Sequence, residues 1–232
     1  MTLNISGISV EIKKKNVKNM RLYVKPPDGK VTVSAPLSMK NDVIEKFVIT
    51  KKDWIKKQIS RFGNQTSRPA EEYVSGETLY VWGKQFLLQV ECGGRYSIVL
   101  SGDKAVFTAR KGSTIDQREK HVREWYRELL NAEIERLLPK WEMKTGLKAE
   151  SCHSKYMTSR WGSCKAKKRK IWLSLLLAKK PPECLEYVIL HELLHFMERG
   201  HNARFYSLLD KYMPGWREIR KKLNNQALDT AG

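Results

Sequence analysis

The stretch His191-Glu192-Leu193-Leu194-His195-Phe196-Met197-Glu198-Arg199-Gly200-His201, HELLHFMERGH, holds three of the five histidines of the chain. A helix turns about 100° per residue, so positions four apart share a face. His191 and His195 can therefore offer their imidazoles to one ion, with Glu192 one step around. Gly200 is expected to stop the helix in the left-handed conformation. The chain then turns and brings His201 to the same point. Three neutral imidazoles leave the fourth tetrahedral position to water, as at a catalytic rather than a structural zinc. Glu192 is placed to take a proton from that water and pass it to a leaving group.

Around this motif the sequence reads as an α+β protein. A β-rich N-terminal region with two helices spans 1–112. A zincin-like helical catalytic part with a short sheet spans 113–232. "GISVEI", "MRLYVK" and "KVTVSAP" are β-rich runs, with "PPDG" a turn before the last. Two helices follow, one capped by Ser38 and one opened by a Thr50/Asp53 capping box. "GNQTSRPA" at 63–70 reads as a linker or loop. Strands resume at "ETLYVWG", "KQFLLQVE", "YSIVLS" and "KAVFTAR". Ser113 or Thr114 starts a helix expected to end near Pro139. "ESCHSKYMTSRWGS" and "KIWLSLLLA" read as two strands joined by a basic turn. The motif helix is expected over 182–199, after a proline pair suited to a first turn. A last helix covers "NARFYSLLDKYM", broken by Pro214 before a basic tail. No internal repeat is visible in the sequence.

The 232 residues carry a formal net charge of +19. Residues 1–70 hold fifteen Lys/Arg against five acids, and residues 151–182 hold nine with no acid. Such a field attracts polyanions, nucleic acid among them, although charge alone names no partner. Cys92, Cys152, Cys164 and Cys184 form no CxxC pair and read as reduced thiols of a cytosolic protein. Cys152, His153 and Cys164 are open to a second zinc site, but their spacing matches no common finger. The N-terminus shows no basic segment followed by an apolar run, so no signal peptide is expected, and location is expected to be cytoplasmic. "IWLSLLLA" is far shorter than the about 20 apolar residues of a membrane span, so no membrane partner is expected.

The three histidines have the spacing of HExxHxxGxxH, but Glu198 stands where that pattern has glycine, and no Met-turn follows. "HELLHFMERGHNARFY" instead resembles the HELxHxxxxxHxxxF signature of the YgjP-like metal-dependent hydrolases, related to SprT-like and zincin metallopeptidases. "SRWGSC" at 159–164 followed by "KIWLSLLL" is similar to the RWGSC-plus-strand segment of that family. "YVWGKQFLLQV" and "VTVSAP…WIKKQ" resemble its N-terminal half. The resemblance covers nearly the whole chain. It implies that His191, His195 and His201 hold a zinc ion, or another divalent transition metal, and that Glu192 is the general base.

Arg160 is the candidate to stabilise negative charge on a carbonyl or phosphoryl oxygen; the alternative is a pairing with a structural carboxylate. Tyr156 is a further candidate proton donor. Phe205 and Tyr206 are expected to pack the third ligand, and His121 and His153 to be ordinary histidines. Three functions remain open on the sequence. The first is a zinc metallopeptidase acting on polypeptide. The second is a metal-dependent phosphohydrolase of nucleoside triphosphates, held by the basic run at 165–170. The third is a nucleic-acid-binding protein without catalysis.

Overall fold

The structure, a computed structural model, describes residues 2–25, 29–63 and 71–224. Residues 26–28 of the "PPDG" turn and most of the 63–70 segment lie outside the described residues. The chain divides into two compact units, residues 1–70 and 71–232.

The first unit is a four-stranded sheet with two helices. Strands β1 (Thr2–Ile5), β2 (Ile8–Lys15), β3 (Arg21–Lys25) and β4 (Lys30–Pro36) lie in the order β1-β2-β4-β3. The outer pairs are antiparallel and the central β2/β4 pair is parallel. Ile8, Val10 and Ile12 alternate along β2 onto the buried face, the period-2 pattern of a sheet with one covered side. Helices α1 (Asn41–Thr50) and α2 (Lys52–Gly63) supply Ile44, Val48 and Ile55 to the same core. The expected caps differ. Lys40, not Ser38, precedes α1 and makes no side-chain cap. Thr50 closes α1, its hydroxyl donating to the Phe47 carbonyl, so it opens nothing.

The second unit begins with another four-stranded sheet. Strands β5 (Thr78–Val81), β6 (Lys84–Cys92), β7 (Ser97–Ser101) and β8 (Lys104–Ala109) take the order β5-β6-β8-β7, again with a parallel centre. The boundary expected at 112/113 is therefore corrected to 70/71. Leu79, Leu88 and Phe107 of this sheet share one core with α3 (Ile115–Thr145) and with the motif helix, so no seam separates them. The two sheets also form a repeat in topology that the sequence does not display. Each opens with a two-residue hairpin loop carrying positive φ at both positions, Ser6-Gly7 and Trp82-Gly83. That is the type I′ geometry, whose twist suits a tight hairpin.

Thr114 caps α3 in a reciprocal box with Gln117. The helix does not stop at Pro139. It continues to Thr145 and ends on left-handed Gly146. Val122, Tyr126, Leu130, Ile134, Leu137 and Trp141 form its buried stripe, and packing along that stripe outweighs the one donor that proline lacks.

A three-stranded sheet follows, ordered β10-β11-β9: β9 (Ser151–Lys155), β10 (Gly162–Lys165) and β11 (Lys170–Ser174). The expected pair of strands is thus three. The basic segment, a 3₁₀ turn at Ala166–Lys168, joins β10 antiparallel to β11, and β9 pairs parallel on the far side. A second 3₁₀ turn, Leu175–Lys179, leads into α4 (Pro182–Leu194). Helices α5 (Ala203–Tyr212) and α6 (Trp216–Leu223) complete the unit, so part of the expected tail is helical. Among the described residues no helix is long and apolar enough to cross a membrane.

Candidate metal centre

Helix α4 is apolar nearly all round: Leu185, Val188, Ile189, Leu190, Leu193 and Leu194 are all buried. A helix buried on several sides fixes the direction of the few polar side chains it carries. The helix ends at Leu194 rather than at 199. The amides of Phe196 and Met197 donate three residues back, tightening the last turn. Gly200 is not in the left-handed region. The tightening puts the Glu198 carbonyl 3.0 Å from His195 Nδ1. With a proton on Nδ1 donated there, His195 Nε2 keeps its lone pair. Asn202 then caps α5 by accepting from the Phe205 amide, which turns the chain back and returns His201 to the helix.

The three imidazoles converge on one point. His191 Nε2 lies 3.2 Å from His195 Nε2 and 3.0 Å from His201 Nε2. Nitrogens bound tetrahedrally to one zinc sit roughly 3.3 Å apart, so the spacing fits a shared cation. Without one, lone pairs at this distance repel. Burial pushes His191 down to about 3, with its histidine neighbours acting in the same direction, so the ring stays in the neutral ligating form. Among the described residues this is the one group placed to hold a metal; Cys152, His153 and Cys164 form none. The cysteines are free thiols, and Cys92 is exposed.

Phe205 does more than support the third histidine. Its ring is fully buried, with its centroid 5.0, 4.8 and 4.9 Å from those of His191, His195 and His201. It is a common floor for all three.

Glu192 is buried, and burial pushes its carboxyl up to about 7 against the opposing pull of the Cys164 hydrogen bond and the Arg160 charge. Strand β10 builds its surroundings through Gly162 and Cys164, neither of which the sequence tied to Glu192. A Cβ on Gly162 would lie 2.6 Å from Glu192 Oε1 and 2.8 Å from Val188, so only glycine leaves room for the carboxylate. Two residues on, and on the same strand face, the Cys164 thiol donates to Glu192. Burial holds that thiol protonated, its pKa pushed up to about 12. The visible signal was a Gly-x-Cys at strand spacing in "RWGSC".

A cleft of about 870 Å³ opens over His191, Glu192, His195 and His201, walled by β10 and the basic 3₁₀ turn. A second arm of about 480 Å³ shares His191, Glu192 and His201 and is lined by Trp161, Tyr187 and Tyr206. Arg160 lines both arms. It is exposed and in no ion pair among the described residues, so the pairing with a structural carboxylate is not found. Tyr156 does not line the cleft; Arg123 lies 3.9 Å over its ring. His121 stacks on Tyr96, and His153 is exposed on β9.

The three imidazoles on one point, beside a buried carboxylate in an open cleft, are a donor set that could hold a metal ion. The chain belongs to the YgjP-like family, whose model, a YgjP-like metallopeptidase domain, matches residues 18–226. Membership implies a divalent metal. Two solved structures are similar over part of the chain. The metallopeptidase zymogen abylysin of Pyrococcus abyssi is 21% identical, with a TM-score of 0.36, covering 39% of this chain and 90% of its own. The zymogen jannalysin of Methanocaldococcus jannaschii is 23% identical, with a TM-score of 0.37, covering 40% and 96%. No curated protein matches the chain.

Proposed function

We propose that the protein is a zinc-dependent peptidase. The observation that carries this reading is the convergence of the three Nε2 atoms beside Glu192, at the floor of a cleft walled by a sheet edge. His191, His195 and His201 would hold the ion. When bound, it supplies Lewis-acid chemistry, polarising a carbonyl and acidifying water. The residues of the chain do the rest. Glu192 takes a proton from the attacking water and returns it to the departing amine. Gly162 and Cys164 fix where the carboxylate sits. Arg160 offers a positive charge to the oxygen on which negative charge builds. Strand β10 is at the edge of its sheet, so a substrate backbone in extended form can pair with it.

The test offers zinc-loaded protein an unfolded polypeptide and, in parallel, a nucleoside triphosphate. Peptide cleavage that disappears in Glu192→Gln, with zinc content unchanged, is the expected result. Phosphate or pyrophosphate release with the same dependence and no peptide cleavage would replace this reading with the phosphohydrolase one. Zinc retention with neither reaction would favour a binding role.

A further inference from the structure

The larger arm of the cleft has a charge that the peptidase reading does not explain. Five cations line it: Arg160, which the peptidase reading uses, and Lys165, Lys167, Lys168 and Arg199, which it does not. Glu192 is the one acid among the lining residues. All five cations are exposed, and among the described residues none is in an ion pair. They come from three segments: the approach to β10, its far end with the 3₁₀ turn, and the stretch after α4. We propose that this arm selects polypeptides carrying a run of Asp and Glu, which lies along β10 while the neighbouring bond is cut. The inference rests on the peptidase reading and names its substrate class.

Geometry favours an acidic polypeptide over a nucleotide. A phosphate site gathers its donors on one point, typically backbone amides at a glycine-rich turn or helix start. Here the cations are spread along a wall, and the turn at Ala166–Lys168 contains no glycine. What runs between them is a strand edge. Arg160 stands two residues before β10 and Lys165 is its last residue, so four residues, 161–164, separate the two groups. A paired substrate advances about 3.3 Å per residue. Carboxylates roughly three to five positions from the scissile bond would then meet the lysine turn while the bond lies over Glu192. The second arm, with Trp161, Tyr187 and Tyr206, accepts an apolar side chain on the other side of the bond.

Three peptides with one cleavable core test this, flanked by four Asp/Glu, four Ser or four Lys, with full-length zinc-loaded protein. The acidic peptide should have about tenfold higher kcat/KM than the Ser peptide, as several exposed ion pairs together would give. The advantage should shrink as salt rises from about 0.05 to about 0.5 M. Lys165→Glu/Lys167→Glu/Lys168→Glu should move the preference to the Lys peptide. Lys84→Glu/Lys104→Glu/Lys111→Glu, a same-sized reversal on the sheet β5–β8 and the turn that follows it, should leave the order of the three peptides as it was. Equal cleavage of the three peptides overturns the proposal while the peptidase reading stands. If none is cut, the peptidase reading fails and binding decides, by fluorescence anisotropy on zinc-loaded Glu192→Gln protein. Tighter acidic-peptide binding, lost in the lysine-turn variant, supports the surface. Equal binding of the three peptides, or displacement of the acidic one by equimolar nucleoside triphosphate, overturns it.

Discussion

The loops Ser6-Gly7 and Trp82-Gly83 have nearly the same backbone and opposite roles. Both glycines are left-handed, at φ 81° and 80°, in hairpins of the same register, at the start of sheets with the same strand order. A side chain on Gly7 would meet nothing within 4 Å. A Cβ on Gly83 would lie 2.8 Å from Pro181, the residue before the metal helix. The Trp82 amide donates to the Ala178 carbonyl at 2.8 Å, and that of Gly83 to Lys179 at 3.2 Å. One loop is a free tip. The other clamps the segment that launches α4. One topology, used twice, closes a small self-contained core in the first unit and sets the entry of α4 in the second.

The sharpest way to break this comparison is to open each core in turn. Phe107→Ala and Val33→Ala both remove fully buried side chains from a strand of the central parallel pair. Phe107→Ala should cost about 3–5 kcal/mol and take zinc binding with it, because its core is continuous with α4. Val33→Ala should cost about 1–3 kcal/mol and leave zinc content and peptide cleavage in place. Urea unfolding with zinc analysis reads both; loss of zinc in Val33→Ala would show that the two units are not energetically separate.

Next in size is the pair of loop variants. Gly83→Ala should destabilise by about 3 kcal/mol, the strain of a left-handed alanine plus the clash with Pro181. Gly7→Ala carries only the strain, about 1 kcal/mol. Equal losses would mean that the second loop is no clamp. Gly162→Ala should lower kcat about a hundredfold with zinc retained, because the new methyl displaces the Glu192 carboxylate; an unchanged kcat would remove Gly162 from the site. The smallest effect concerns thiols, all of which lie in the second unit. Exposed Cys92 should alkylate first at pH 8. Cys152 and Cys164, both pushed up to about 12 by burial, stay protonated there and react only as pH nears that value or the unit unfolds. Mass spectrometry of the alkylated chain checks the order.

Much of the candidate centre was legible because the residues that converge there are local in the chain. His191, His195 and Glu192 are fixed by helix periodicity, and His201 by a short return. What the sequence hid depends on partners distant in the chain. Gly162 and Cys164 acquire meaning only when β10 lies on α4. The ends of helices were misjudged where packing outweighed a local signal, as at Pro139, or where a tightened turn replaced a glycine stop, as at Leu194. The boundary at 112/113 followed the change from strands to helix. Cores ignore such changes, and Phe107 and Leu88 pack with α3 and α4 in one cluster. The repeated sheet stayed invisible because backbone pairing constrains which faces are apolar and not which apolar residues fill them.

The placement of Phe205 has a spectroscopic consequence. His195 stacks nearly parallel to its ring, at an interplanar angle of 26°, while His191 and His201 meet it at 72° and 81°. One aromatic ring current therefore acts on all three imidazoles with different sign and strength, shielding the protons over its face and deshielding those near its edge. Proton NMR should resolve the three histidines from one another, and the pattern should collapse in Phe205→Leu. Occupancy of the centre can then be followed from inside the protein, by small rotations of these rings against a fixed neighbour, even with an ion as silent as zinc.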